Sequence, residues 1–229
     1  MAVTVKTILV SEFGMNHKGT IDSAKEMIRI SKECGATMAK GQAFKSCDVK
    51  GSMPQGFYDE RELTVFELTD LVLYGDEIGI PVFFSVFSRE FEPIHAVQPW
   101  QKFAASQSKN TPKMVERWDH EKTIVSVNAG IRLPNLSRSK ILYASSYLAN
   151  NPGLENIEFL TEYYGRQVGY SDHTKGIDWC LLANQEFGAT VIEKHFTLTR
   201  DIYFEGKQFR DAVHSALPGE MELLAKQLI

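Results

Sequence analysis

The reading of the fold turns on residues 168–197: Val168-Gly169-Tyr170-Ser171-Asp172-His173-Thr174-Lys175-Gly176, an apolar stretch, then Ala189-Thr190-Val191-Ile192-Glu193-Lys194-His195-Phe196-Thr197. Each half has the pattern of a buried strand whose last residues turn abruptly polar. A helix-length spacer carrying Trp179, Leu182, Ala183 and Phe187 joins them, which makes a β-α-β unit. Parallel strands linked in this way lie side by side. His173 and His195 then fall at equivalent strand ends, within reach of one ion. Flanked by Asp172 and Glu193, two imidazoles suit a divalent metal that keeps positions open for substrate oxygens. The competing reading is that each histidine only caps its strand through hydrogen bonds.

Outward from that unit, 229 residues with no Pro/Ser/Gly-rich divider read as a single domain over 1–229. A hydrophobic share of 43% beside 24% charged residues is that of a globular protein with a proper core. No apolar run reaches membrane-spanning length, and the first residues lead into a strand rather than a signal peptide. Cys34, Cys47 and Cys180 form no CxxC pair and are odd in number, which argues against a disulfide framework. A cytoplasmic, membrane-free protein is expected. A net charge of −4 without a basic block argues against nucleic acid as a partner. Any anionic ligand must be held by a few local lysines and backbone amides.

The same strand-then-polar pattern recurs along the chain. Residues 7–14 form an apolar strand that ends in Glu12-Phe13-Gly14, with Met15-Asn16-His17-Lys18-Gly19 as a loop and a helix over 21–34 closed by Gly35. Residues 37–44 form a second strand with Lys40 and Gln42 on one face. A lysine in so apolar a strand either snorkels to solvent or serves a site. Residues 46–59 are an irregular loop of the kind that covers a site. A helix follows over 60–78, its alternating charges read as a solvated face, and Gly79 stops it. Strands are expected at 82–88, 102–107, 123–128 and 140–146, with a short helix at 90–97 and a very short connection between the fifth and sixth strands. A helix at 156–164 precedes the opening unit, and an amphipathic helix at 218–229 ends the chain. Trp100, Trp118 and Trp179 read as packing anchors.

Eight strands alternating with helices, each strand polar at its C-terminal end, describe a compact (β/α)8 TIM barrel with its site on that face. An open doubly wound sheet is the alternative, but no GxGxxG signature accompanies these strands.

At this point the residues resemble a family, the sialic acid (N-acetylneuraminate) synthases with their legionaminic and pseudaminic acid relatives. The matching runs are Glu12 to Gly19, Ala39-Lys40-Gly41-Gln42, Phe83-Phe84-Ser85, Gly169 to Gly176 and Gly188 to Thr197, in the family's order and across nearly the whole chain. The resemblance implies a transferase that condenses phosphoenolpyruvate with the aldehyde of an N-acetylated hexosamine, giving a 2-keto acid and phosphate. It implies Mn2+ or Mg2+ on the positions of His173 and His195. It places Lys40 and Lys102 on phosphoenolpyruvate, Ser85, Ser146 and Ser171 as hydroxyl donors, and Glu12, Gln42 and Asp211 in orienting the sugar or moving protons. Glu193 belongs with the catalytic groups, Asp172 with the substrate-binding ones. Asn16 and His17 either touch ligand or organise the first loop through backbone hydrogen bonds. A homodimer is expected, and the match covers the barrel domain only, without the family's C-terminal antifreeze-like domain.

The departures lie mid-chain. Ser85-Val86-Phe87 lacks the threonine of the family's Ser-Thr-Pro-Phe, Lys102-Phe103-Ala104-Ala105-Ser106-Gln107 carries an amide where the family has an acid, and the fifth strand lacks the Ser-Thr-Gly-Met ending. These favour a second reading, a catalytically impaired barrel that binds metal and a phosphorylated ligand beside a full-length synthase. Intact Lys40, His173, Glu193 and His195 oppose it. No cluster of extra basic residues marks a second phosphate, as a sugar-phosphate acceptor would need.

Overall fold

The structure, a computed structural model, describes residues 6–107, 120–131, 133, 136–146 and 151–228. The apolar runs become eight parallel strands: β1 Ile8–Gly14, β2 Met38–Ala43, β3 Val82–Val86, β4 Gln101–Phe103, β5 Thr123–Val127, β6 Lys140–Ala144, β7 Gly169–Asp172 and β8 Val191–His195. They pair in sequence order and β8 returns to β1, closing a barrel. The expected (β/α)8 architecture is the one observed. Trp118 and Ile229 lie outside the described residues.

Period two along each strand divides the side chains between two cores. Inside the barrel, Val10, Met38, Phe83, Ile124, Leu142 and Val191 fill the lower layer and form a floor. Outside, a larger core packs the strands against the helices α1 (Ile21–Glu33), α3 (Val65–Ile78), α4 (Glu155–Tyr164), α5 (Asp178–Gln185) and α7 (Pro218–Gln227). A third cluster, with Met15, Phe44, Phe57, Ile202 and Phe209, ties the loop after β2 to the segment after β8. Gly41 is needed where β2 packs against two aromatic rings, since a Cβ there would meet those of Phe13 and Phe84 at 2.7 Å.

Several element bounds differ from the expected ones. The helix expected over 60–78 starts at Val65, because Thr64 makes a capping box with Glu67: Glu67 N–H donates to the Thr64 hydroxyl, and Thr64 N–H donates to the Glu67 carboxylate. Gly79, in the left-handed region at φ 77°, closes it. Its outer face is less polar than expected, with Phe66 and Leu73 exposed. The loop 46–59 contains a short helix, α2 (Gln55–Asp59). Residues Arg89–Ala96 form a 3-10 helix, where Pro93 has no N–H to give an α-helical turn. β4 ends at Phe103 because Gln107 turns back: its side chain accepts from Ala104 N–H and donates to the Val86 carbonyl at 2.6 Å. The connection from β5 to β6 holds no helix among the described residues, as expected.

Candidate active site

The strand ends surround a cavity of about 350 Å³. Glu12, Lys40, Gln42, Ser85, Lys102, Ser146, Ser171, His173, Glu193 and His195 all line it, so ten of the expected site residues converge at the C-terminal end of the barrel. The register explains why. Glu12 lies between Lys40 and His195, Gln42 beside Ser85, Ser85 beside Lys102, and Ser171 beside Glu193, each on the inward face of its strand.

Two ammonium and two carboxylate groups meet inside. Lys40 Nζ lies 2.8 Å from Glu12 Oε1 and 3.8 Å from Glu193 Oε1, and Lys102 Nζ lies 3.3 Å from the same Glu193 oxygen. Around them Gln42 donates to Glu12 at 2.9 Å, Ser171 donates to Glu193 at 2.9 Å, and Lys102 donates to Ser126 at 2.8 Å. Burial disfavours ionisation of Glu12, but His195, Lys40 and two hydrogen bonds outweigh it and hold its carboxyl well below the usual range. Glu193 follows the same balance, with burial overcome by Lys102 and Lys40. For Lys40 burial is overcome by Glu12 and Glu193, and its pKa rises. For Lys102 burial prevails, helped by repulsion from Lys40, and its pKa falls. The second oxygen of Glu193, Oε2, is buried with no hydrogen-bond partner among the described residues.

The imidazoles of His173 and His195 face each other with ring centroids 5.3 Å apart at 64°. His195 Nδ1 lies 3.1 Å from Glu12 Oε2. Burial and the neighbouring His195 push His173 down to about 4. Among the described residues no group of three or more His, Cys, Asp and Glu is arranged to hold an ion. The two facing imidazoles are the residues that could hold a divalent metal, as two ligands of a site left open to water or substrate oxygens.

Four of the candidate residues lie elsewhere. Asp172 is not in the cavity wall: it lies between Ser171 and His173, so period two turns it outward, where it pairs with Lys194 Nζ at 2.6 Å. Asn16 is an anchor, its amide donating to the Phe196 carbonyl at 2.8 Å and to Ser215 at 3.0 Å. His17 is likewise buried off the cavity, accepting from Gly19 N–H. Asp211 opens α6 (Arg210–His214) outside the cavity wall, and its charge adds to those that hold Lys40 protonated. Conversely the cavity takes in Ser106, Ser126, Asn128, Ser145 and Phe87, which were not singled out from the sequence. Ser126 and Asn128 share a face by period two, which is the signal that would have found them.

A barrel closed by eight parallel strands, floored by hydrocarbon and walled at its C-terminal mouth by lysines, carboxylates, hydroxyls and two imidazoles, has the form that TIM-barrel enzymes use, with polar groups suited to a small polar or anionic ligand. The comparisons narrow that class. Residues 143–229 match the NeuB family. An uncharacterized protein of Methanocaldococcus jannaschii is 29% identical over 219 residues, covering 86% of this chain and 64% of its own length. The N,N'-diacetyllegionaminic acid synthase of Campylobacter jejuni is 25% identical over 263 residues, covering 97% of this chain and 75% of its own. The crystal structure of the N-acetylneuraminic acid synthetase of Leptospira borgpetersenii superposes with a TM-score of 0.83 at 24% identity, over 97% of this chain and 82% of that one, and shares the fold. The chain is thus similar to sialic and legionaminic acid synthases, in line with the resemblance carried by its motifs. It spans a little under two thirds of the length of the Methanocaldococcus relative.

Proposed function

We propose that this barrel condenses phosphoenolpyruvate with the open-chain aldehyde of an N-acetylated hexosamine, forming a 2-keto acid and releasing phosphate. The observation that carries the proposal is the meeting, in one cavity, of Lys40 and Lys102 with the facing imidazoles of His173 and His195. The two ammonium groups, with Ser85, Ser126 and Ser171 beside them, would bind the phosphate and carboxylate of phosphoenolpyruvate as compact point charges and hydroxyl donors. A divalent ion held by His173 and His195 would supply Lewis acidity toward the aldehyde oxygen.

The enol carbon forms the new bond to the aldehyde carbon, the aldehyde oxygen takes a proton, and water adds to the electron-poor enol-ether carbon before its bond to the phosphate oxygen breaks. Glu193 lines the cavity with one oxygen that accepts no hydrogen bond from the described residues, which supports it as the group that takes the proton this water loses. Glu12, gripped by Lys40 and Gln42 and next to His195, would orient the sugar. The side chains come preorganised, since register and buried hydrogen bonds hold them before any ligand arrives.

Phosphate release from phosphoenolpyruvate tests the proposal. It should require both Mn2+ and an N-acetylhexosamine, and be absent with either alone. If both ligands bind and no phosphate appears with N-acetylmannosamine or its diacetamido analogues, the catalytic reading fails and the ligand-binding barrel takes its place.

A further inference from the structure

Asp172 and Lys194 sit directly opposite one another in the β7–β8 register, on the outer side of two strands whose inner side carries Ser171, His173, Glu193 and His195. Lys194 Nζ donates to Asp172 Oδ2 at 2.6 Å, and both side chains are 0% exposed. The pair has further partners. Asp172 Oδ1 accepts from the Tyr170 hydroxyl at 2.8 Å, from Thr174 N–H at 3.0 Å and from the Thr174 hydroxyl at 2.8 Å, while Oδ2 also accepts from the Cys180 thiol at 3.4 Å. Lys194 Nζ donates again, to the Thr174 carbonyl at 2.5 Å.

Stability alone is a poor reason for two such charges, because stripping them of water is costly and apolar pairs of similar volume are often as stable. Geometry is the better one. The backbone N–H of Thr174 is held by Asp172 and its C=O by Lys194, so residue 174 is fixed from both strands. His173 lies between Asp172 and Thr174, and its own N–H donates to Ser145 Oγ at 3.1 Å. A slip of one residue between β7 and β8 would break the pair and turn one imidazole off the inner face.

We infer that the buried Asp172–Lys194 pair is a positioning device that fixes the β7–β8 register and holds the imidazoles of His173 and His195 at the spacing one divalent ion requires. This rests on the metal-assisted reading of the site. Neither residue touches the cavity; both act through their chain neighbours and through Thr174.

Mn2+ binding to the full chain, followed by the electron paramagnetic resonance of the free ion, tests the inference beside urea unfolding of the same samples. The wild type should bind Mn2+. The double variant Asp172→Asn/Lys194→Met keeps the local turn and the volume but loses the cross-strand pair. It should remain folded and bind Mn2+ about tenfold to a hundredfold more weakly, the range usual for residues that orient metal ligands. Lys194→Arg keeps the opposed charges but moves the donor that reaches Asp172 and the Thr174 carbonyl; it should weaken binding a few-fold, and it decides the matter if the double variant does not fold. Wild-type affinity in the folded double variant, or in Lys194→Arg when that variant must serve, would overturn the positioning role. A wild type that binds no Mn2+ overturns instead the metal reading beneath it.

Discussion

Lys102→Met would remove one of two cations from a sealed cluster of four charges. Lys102 is 1% exposed, and its Nζ is 3.3 Å from Glu193 Oε1. Glu193 would keep only Lys40, at 3.8 Å, which Glu12 already holds at 2.8 Å. At an effective dielectric constant of about 20, charges at the Lys102–Glu193 separation attract by about 5 kcal/mol. Part of that loss is offset because Lys102 no longer has to be desolvated, which leaves about 3–5 kcal/mol, the usual cost of abandoning one partner of a buried pair. Adding Glu193→Gln removes the stranded carboxylate and leaves the neutral Lys40–Glu12 pair intact, so the double variant should recover at least about 2 kcal/mol of it. Urea unfolding of the wild type, both single variants and the double variant gives the coupling directly. A single-variant cost under about 1 kcal/mol, or a coupling within about 0.5 kcal/mol of zero, would refute the account of the four charges as one mutually compensated unit.

Three further outcomes are expected. His17 is pushed down to about 4, by burial first and then by Arg61, so below its unfolded value near 6.5 the unfolded chain takes up a proton that the folded chain refuses. Stability should therefore fall as pH drops from 6.5 towards 4, by about 2 kcal/mol between pH 7 and 5, and urea midpoints of His17→Gln at the two pH values should lack that share of the loss. Gly41→Ala drives a methyl group into Phe13 and Phe84, and a destabilisation of about 1–3 kcal/mol should appear as a lowered thermal midpoint. His195→Ala should abolish Mn2+ binding while far-ultraviolet circular dichroism stays native; loss of the folded spectrum would mean that this imidazole serves packing.

The barrel was legible because the polar turn at the end of each apolar run repeats eight times, and because the runs have β-strand length between helix-period segments. The inner face of the site was legible for the same reason: Lys40 with Gln42, Ser171 with His173 and Glu193 with His195 each stand two apart, so one strand carries both members inward. The same rule, applied once more, excludes Asp172 and pairs it with Lys194, two opposite charges at matching positions of adjacent strands. Asn16 could not be placed from sequence, because its partners Phe196 and Ser215 lie 180 and 199 residues away. Gln107 was read as the end of a strand, whereas its amide satisfies the backbone of β3 and ends β4 early. Helix starts shifted where a cap such as Thr64 outweighed the hydrophobic pattern before it.

Crystals of the chain soaked with Mn2+ and phosphoenolpyruvate address the central claim most directly. The account predicts an anomalous manganese peak between the imidazoles of His173 and His195, with the phosphate and carboxylate of phosphoenolpyruvate against Lys40 and Lys102. Manganese elsewhere, or phosphoenolpyruvate bound away from the two lysines, would contradict it.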